Sequence, residues 1–242
     1  MKGKQILGLI ATATTALVSY TAPGQAVSLT PGEIFGTQGI KFIENTEVKF
    51  NFVQSNGAFK SSVKLFEIGA GNRLTFVKDL FVETKGSDNL SENGWRGTCG
   101  NTVAFTEGTS CKSYFTFIAN KTYSLGLDSG VNGIVYSTTA LNTFAPGGTQ
   151  QAVFNSFGSQ AEEDTTIFTG VNAAQFQSSD PLSRVVRIGF EDTGNGNDGD
   201  FQDFTITAVA RRTAVPEPTA LAGLALSGGA LAFWRRRRVG RV

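Results

Sequence analysis

The chain contains no histidine. Without an imidazole, a Ser-His-Asp triad cannot be assembled, and a thiolate nucleophile has no ring to take its proton. Cysteine is nearly as scarce, with only Cys99 and Cys111. No amphipathic helical pattern of any length precedes the last segment, and no internal repeat is present, which argues against a solenoid or propeller. Neither sign of charge dominates: 21 Lys and Arg stand against 20 Asp and Glu. That balance is uneven along the chain. Residues 1–26 and 215–242 hold seven of the bases and one of the acids, so the middle carries 14 bases and 19 acids, a net charge of −5. Such a surface suits cations and does not suit nucleic acid.

The basic ends have their own logic. Met1–Ala26 opens with Lys2 and Lys4, continues with the apolar run "ILGLIATATTALVSY", and closes with "TAPGQA". Small residues at Gly24 and Ala26 complete the pattern of a secretory signal cut after Ala26. A membrane anchor is the rival reading, but the run is short for a span. At the other end, Val215, Pro216, Glu217 and Pro218 precede the sixteen apolar residues Thr219–Trp234 and then Arg235, Arg236, Arg237 and Arg238. As a helix the apolar run measures about 24 Å, short of a bilayer core of about 30 Å, so it spans with thinning or snorkelling. The arginines stay cytoplasmic, and the main domain faces outward. The expected division is residues 1–26 as signal, 27–212 as one outer domain, and 213–242 as linker and tail. After export, a Cys99–Cys111 disulfide is the default, worth about 3 kcal/mol in the chain-entropy account.

The middle alternates with period two, the mark of strands with one buried face. Val48, Phe50 and Phe52 share a face, as do Tyr123, Leu125 and Leu127, and Val186, Ile188 and Phe190. Further strands are expected at Val63–Ile68, Leu74–Val82, Ser113–Ile118, Gly133–Ser137, Gln151–Phe154, Thr166–Thr169 and Phe204–Ala210. Gly, Asn, Ser and Asp punctuate them. The expected fold is all-β, an antiparallel β-sandwich of jelly-roll kind, with twenty phenylalanines to fill it.

The stretch "GFEDTGNGNDGDFQDF", Gly189–Phe204, is the densest in polar chemistry. Glu191, Asp192, Asp198, Asp200 and Asp203 offer carboxylates, and Asn195 and Asn197 add carbonyl oxygens. Gly194, Gly196 and Gly199 let the backbone turn tightly. Calcium takes six to eight oxygens in flexible geometry, whereas magnesium keeps more waters. Zinc and copper find no His or Cys here. The EF-hand register, Glu191-Thr193-Asn195-Gly196 with Gln202 at position twelve, is poor, and "GNGNDGDF" is one loose copy of a calcium-binding repeat. A solvated turn is the plain alternative, but crowded aspartates repel one another unless a cation neutralises them. Glycoside hydrolysis needs two carboxylates flanking a sugar, and nothing marks one of these as the acid. Trp95 and Tyr136 suit either stacking on a sugar or packing. "AEED" at Ala161–Asp164 reads as an exposed turn, and Asn89 and Asn120 head short glycosylation sequons.

Two resemblances follow. "VPEP", an apolar helix and "RRRR", in that order at the C-terminus, resemble the PEP-CTERM sorting signal of bacterial surface proteins. This implies export, passage through the inner membrane, and cutting near Pro216-Glu217-Pro218 by an exosortase, in bacteria that make extracellular polysaccharide. "VRIGFEDTGNGNDGDFQDFTITA" is similar to the end of the DUF4114 domain, and "VKFNFVQSNGAFKSSVKLFEI" to its start, covering about residues 45–210. Glu191, Asp192, Asp198, Asp200 and Asp203 match its acids and Phe201 its aromatic, while Phe204 departs from its pattern. The implied molecule is a calcium-associated extracellular β domain. The expected function is a non-enzymatic surface or matrix protein with structural calcium. A calcium-dependent carbohydrate-binding or adhesion module is the alternative, and a glycan-processing enzyme is the third reading.

Overall fold

The computed structural model describes residues 28–55, 59–83, 98–99, 102–103, 111–130, 133–143, 150–156, 172–192 and 201–213. Among them the strands are β1 (Ile34–Gly36), β2 (Gly39–Lys41), β3 (Thr46–Gln54), β4 (Ser62–Ile68), β5 (Leu74–Val82), β6 (Thr98–Cys99), β7 (Thr102–Val103), β8 (Lys112–Phe117), β9 (Thr122–Asp128), β10 (Ile134–Tyr136), β11 (Ala152–Ser156), β12 (Val186–Phe190) and β13 (Phe204–Arg212). One sheet runs β1-β2-β9-β4-β5, with β10 also on β9; the second runs β11-β12-β13-β3-β8; β6 and β7 form a small pair. Every pairing is antiparallel. The fold is all-β, as the alternation predicts.

The two larger sheets close on one core, because each turns its apolar residues the same way. Val48, Phe50 and Phe52 of β3, Leu125 and Leu127 of β9, and Ile188 and Phe190 of β12 are buried together. Rings cross between the sheets. Phe35 meets Phe154 edge-on at 5.6 Å, and Phe117 meets Tyr123 edge-on at 5.1 Å. Phe52 lies 6.4 Å from Phe81. Such pairs contribute about 0.5–1.5 kcal/mol each beyond the area they bury. The predicted Leu74–Val82 strand is β5 itself. Two register shifts between β4 and β5 bend that edge strand, a device that discourages edge-to-edge pairing.

Three expectations are corrected. The β1–β2 hairpin, with Gly36 opposite Gly39, precedes position 45 and pairs onto β9 through Ile40 and Tyr123. The strands expected from alternation begin only at Val48, although the hairpin falls within the expected outer domain, residues 27–212. Gly36 is needed there, since a Cβ would collide with the carbonyl oxygen of Gln177. The second correction concerns β12. Arg187 and Gly189, expected on a solvated face, are buried like their neighbours, with Arg187 at 0 % exposure. Third, β13 continues past the expected Ala210 to Arg212, and Thr213 donates its amide to the Asn45 carbonyl. Phe204 is fully buried opposite Phe190.

The expected strand Thr166–Thr169, the signal segment with Ala26, and the tail with Val215, Pro216, Glu217, Pro218 and Arg235–Arg238 lie outside the described residues. Among the described residues, no helix is long and apolar enough to cross a membrane.

Candidate metal centre

Strands β12 and β13 pair through Phe190 and Phe204, so Glu191 and Asp203 are the first residues out of the sheet on either side of the glycine-rich connection. Glu191 is 1 % and Asp192 2 % exposed. Carboxylates this deep need partners, and the root of the connection supplies backbone amides. Glu191 Oε1 accepts from the Phe201 amide at 2.8 Å. Asp203 Oδ2 accepts from the Asp192 amide at 2.8 Å. Asp192 Oδ2 accepts from the Phe59 amide at 3.2 Å, which ties in the connection between β3 and β4. Hydrogen bonds to a charged group are worth about 1.5–3 kcal/mol each.

These bonds act against local strain. Phe201 sits at φ 51°, a left-handed conformation that is an outlier for a bulky residue and costs on the order of 1–3 kcal/mol. It is held there by its amide on Glu191 and by its ring, buried with Val153 and packed against Ala173 and Phe176.

A further acid joins this end, one that alternation in the sequence does not single out. Glu83, directly after β5, is 1 % exposed, and its Oε2 accepts from the Ser61 amide at 2.7 Å. Ser61 Oγ in turn meets Ser129 Oγ at 3.1 Å. Residues 59–61 thus lie between two buried carboxylates, Asp192 and Glu83. The signal available was the abrupt acid closing the apolar run Leu80-Phe81-Val82.

Of the predicted ligands, Glu191, Asp192 and Asp203 lie at the root of the connection, where the Asp203 carboxylate accepts from the Asp192 amide. Asn195, Asn197, Asp198 and Asp200 lie outside the described residues. Among the described residues, no group of three or more His, Cys, Asp or Glu is arranged to hold a metal ion. The donors presented are nonetheless carboxylate oxygens only, in a buried setting. That chemistry fits a hard cation such as calcium and not zinc or copper.

The opposite end of the sandwich handles a buried carboxylate differently. The Glu33 side chain is 0 % exposed and forms a two-point ion pair with Arg212, at 2.7 Å from Nη1 and 2.6 Å from Nη2. Glu33 also accepts from the Thr30 amide and hydroxyl and from the Ile43 amide. Burial pushes the Glu33 carboxyl up, but the Arg212 guanidinium and the three donors outweigh it and hold its pKa down at about 2. Arg212 also lies 5.8 Å from the centre of the Phe42 ring.

The remaining predicted residues separate in the same way. Cys111 is disulfide-bonded; Cys99 is in β6, and its side chain lies outside the described residues. Tyr136 packs edge-on against Phe66 at 5.5 Å. Asn120 is exposed in the turn between β8 and β9 at φ 64°. Trp95, Asn89 and Ala161–Asp164 lie outside the described residues. Comparison of the chain with protein-family models, with curated proteins and with solved structures finds no match.

Proposed function

We propose that the chain is an exported, non-enzymatic bacterial surface or matrix protein, of jelly-roll kind, whose outer domain carries a structural calcium ion. The observation that carries this reading is the buried pair Glu191 and Asp192, closed by Asp203 across the root of a connection rich in further oxygens. Glu191, Asp192 and Asp203, with Asn195, Asn197, Asp198 and Asp200, would hold the ion. When bound, it would supply positive charge to the carboxylates of the connection. The residues themselves fix the two strand ends and the β3–β4 connection, so binding energy becomes folding energy. A calorimetric titration of the mature chain with calcium should show one site, lost in Asp200→Ala. Absence of binding overturns the reading.

Sorting is the second half of the proposal. An exosortase acts at Val215–Pro218 while the apolar segment holds the chain in the inner membrane and Arg235–Arg238 stay inside. Replacing Pro216-Glu217-Pro218 with alanines should leave an uncut, membrane-held precursor. Normal release of that variant would show that the tail is only an anchor.

A further inference from the structure

The outer face of the β11-β12-β13-β3-β8 sheet divides in two. Towards β12 it is covered, with Arg187, Thr205, Thr207 and Asn51 buried. Towards β8 it is open, and Tyr114 is 50 % exposed. Register sets the open part out in rows across β13, β3 and β8. Val209, Lys49 and Tyr114 form the middle row. Arg211, Glu47 and Thr116 lie on one side of it, and on the other side the row Thr207, Asn51 and Lys112 leads from the covered part of the face to its open edge. Between them is a groove of about 240 Å³ lined by Glu47, Lys49, Tyr114, Val209, Ala210 and Arg211.

Two contacts border this groove. Arg211 is held by Glu47, at 2.8 Å from Nε and 2.5 Å from Nη2. The Tyr114 carbonyl accepts from Lys78 Nζ at 3.2 Å, a bond that reaches across from β5. The charge is also reversed locally. Among the lining residues, the cations Lys49 and Arg211 face one acid, Glu47, in a domain of net −5. An aromatic wall, an aliphatic floor at Val209 and an excess of cations suit a ring with an apolar face, hydroxyls and a negative charge. The volume lies below the range of about 300–1,000 Å³ for larger ligands, so the groove takes one such ring, with the polymer continuing along the open face.

Other anionic polymers fit less well. Single-stranded nucleic acid uses successive aromatics to stack successive bases, and this face offers one tyrosine beside a carboxylate. An acidic peptide adding as a strand would need the free edge of β8, where Lys78 already holds the Tyr114 carbonyl.

We infer that this groove is a subsite for an acidic sugar residue of an anionic polysaccharide, the ring lying against Tyr114 and its carboxylate facing Lys49. It shares with the proposed function only the requirement of export. Lys49 lies five residues along β3 from Gln54 at the loop root, about 17 Å at strand spacing, so no bridging calcium is involved.

The test is calorimetric titration of the mature chain, calcium held constant, with an oligogalacturonate. A neutral cello-oligosaccharide of equal length, an oligothymidylate and an oligoglutamate serve as comparisons. The oligogalacturonate should bind, more weakly as salt rises, and the other three should not bind measurably. Tyr114→Ala and Lys49→Gln should each weaken binding tenfold or more with the melting midpoint kept, whereas Lys121→Gln, which loses a pair with Glu67 of β4, should leave it unchanged. The inference is overturned by no oligogalacturonate binding, by equal binding of any comparison ligand, or by unchanged affinity in both groove variants. None of these results touches the calcium titration.

Discussion

The two ends of β13 bury carboxylates by opposite means. At Arg212 the chain supplies its own cation, and Glu33 is neutralised by a guanidinium in two-point geometry. At Phe204, eight residues and about 27 Å away along the strand, Glu191 and Asp192 are just as buried, and they accept hydrogen bonds from the backbone amides of Phe201 and Phe59. The first arrangement is complete within the fold and joins residues 30–33 to the last strand. The second closes a connection dense in acids and glycines, which is where a cation from solvent can add most. On the proposed function, the first arrangement serves architecture and the second links folding to an ion.

The largest effect should come from breaking the matched end. Arg212→Met leaves Glu33 buried without its cation and should cost about 3–5 kcal/mol, read from denaturant unfolding. A loss under 1 kcal/mol would dissolve the contrast. Acid should act on the same pair. Because the folded pKa of Glu33 is about 2 against an ordinary 4.5, its contribution is full above about pH 4.5 and is lost as pH falls through about 2. That amounts to about 3 kcal/mol at 1.36 kcal/mol per unit, and Glu33→Gln should flatten this part of the stability profile. Asp192→Asn sharpens the other side. It should cost about 1–3 kcal/mol with calcium present, and less in chelator, where the ion's contribution is already lost. Lys64→Gln, at a partly exposed pair with Asp79 of 2.7 Å, should change stability by less than about 1 kcal/mol and calibrates the rest.

Much of the scaffold was legible because alternation survives wherever one face meets the shared core. Phe50 and Leu125 announce their strands, and β5 was readable end to end. The hairpin of β1 and β2 escaped because its two three-residue strands each hold a glycine, which leaves too few side chains to show a period. Arg187 was misread for a physical reason: a strand's second face is solvated or covered according to segments far away in sequence, and its own residues do not record which. The acidic connection was legible as composition. Its closure was not, since the amides of Phe59 and Phe201 that hold Asp192 and Glu191 carry no side-chain signature. Glu33 reads as an ordinary surface acid, although Thr30-Pro31-Gly32-Glu33 has the spacing at which a Thr and an acid bond to each other, as they do here. Its partner Arg212 lies 179 positions away, beyond any local pattern.

The claim that the amide-held end is completed by an ion is tested most directly by thermal unfolding of the mature chain in calcium and in excess chelator, alongside Asp200→Ala. The account predicts that chelator lowers the wild-type midpoint by several degrees and leaves that of Asp200→Ala where it was. Equal wild-type midpoints in the two buffers would contradict it.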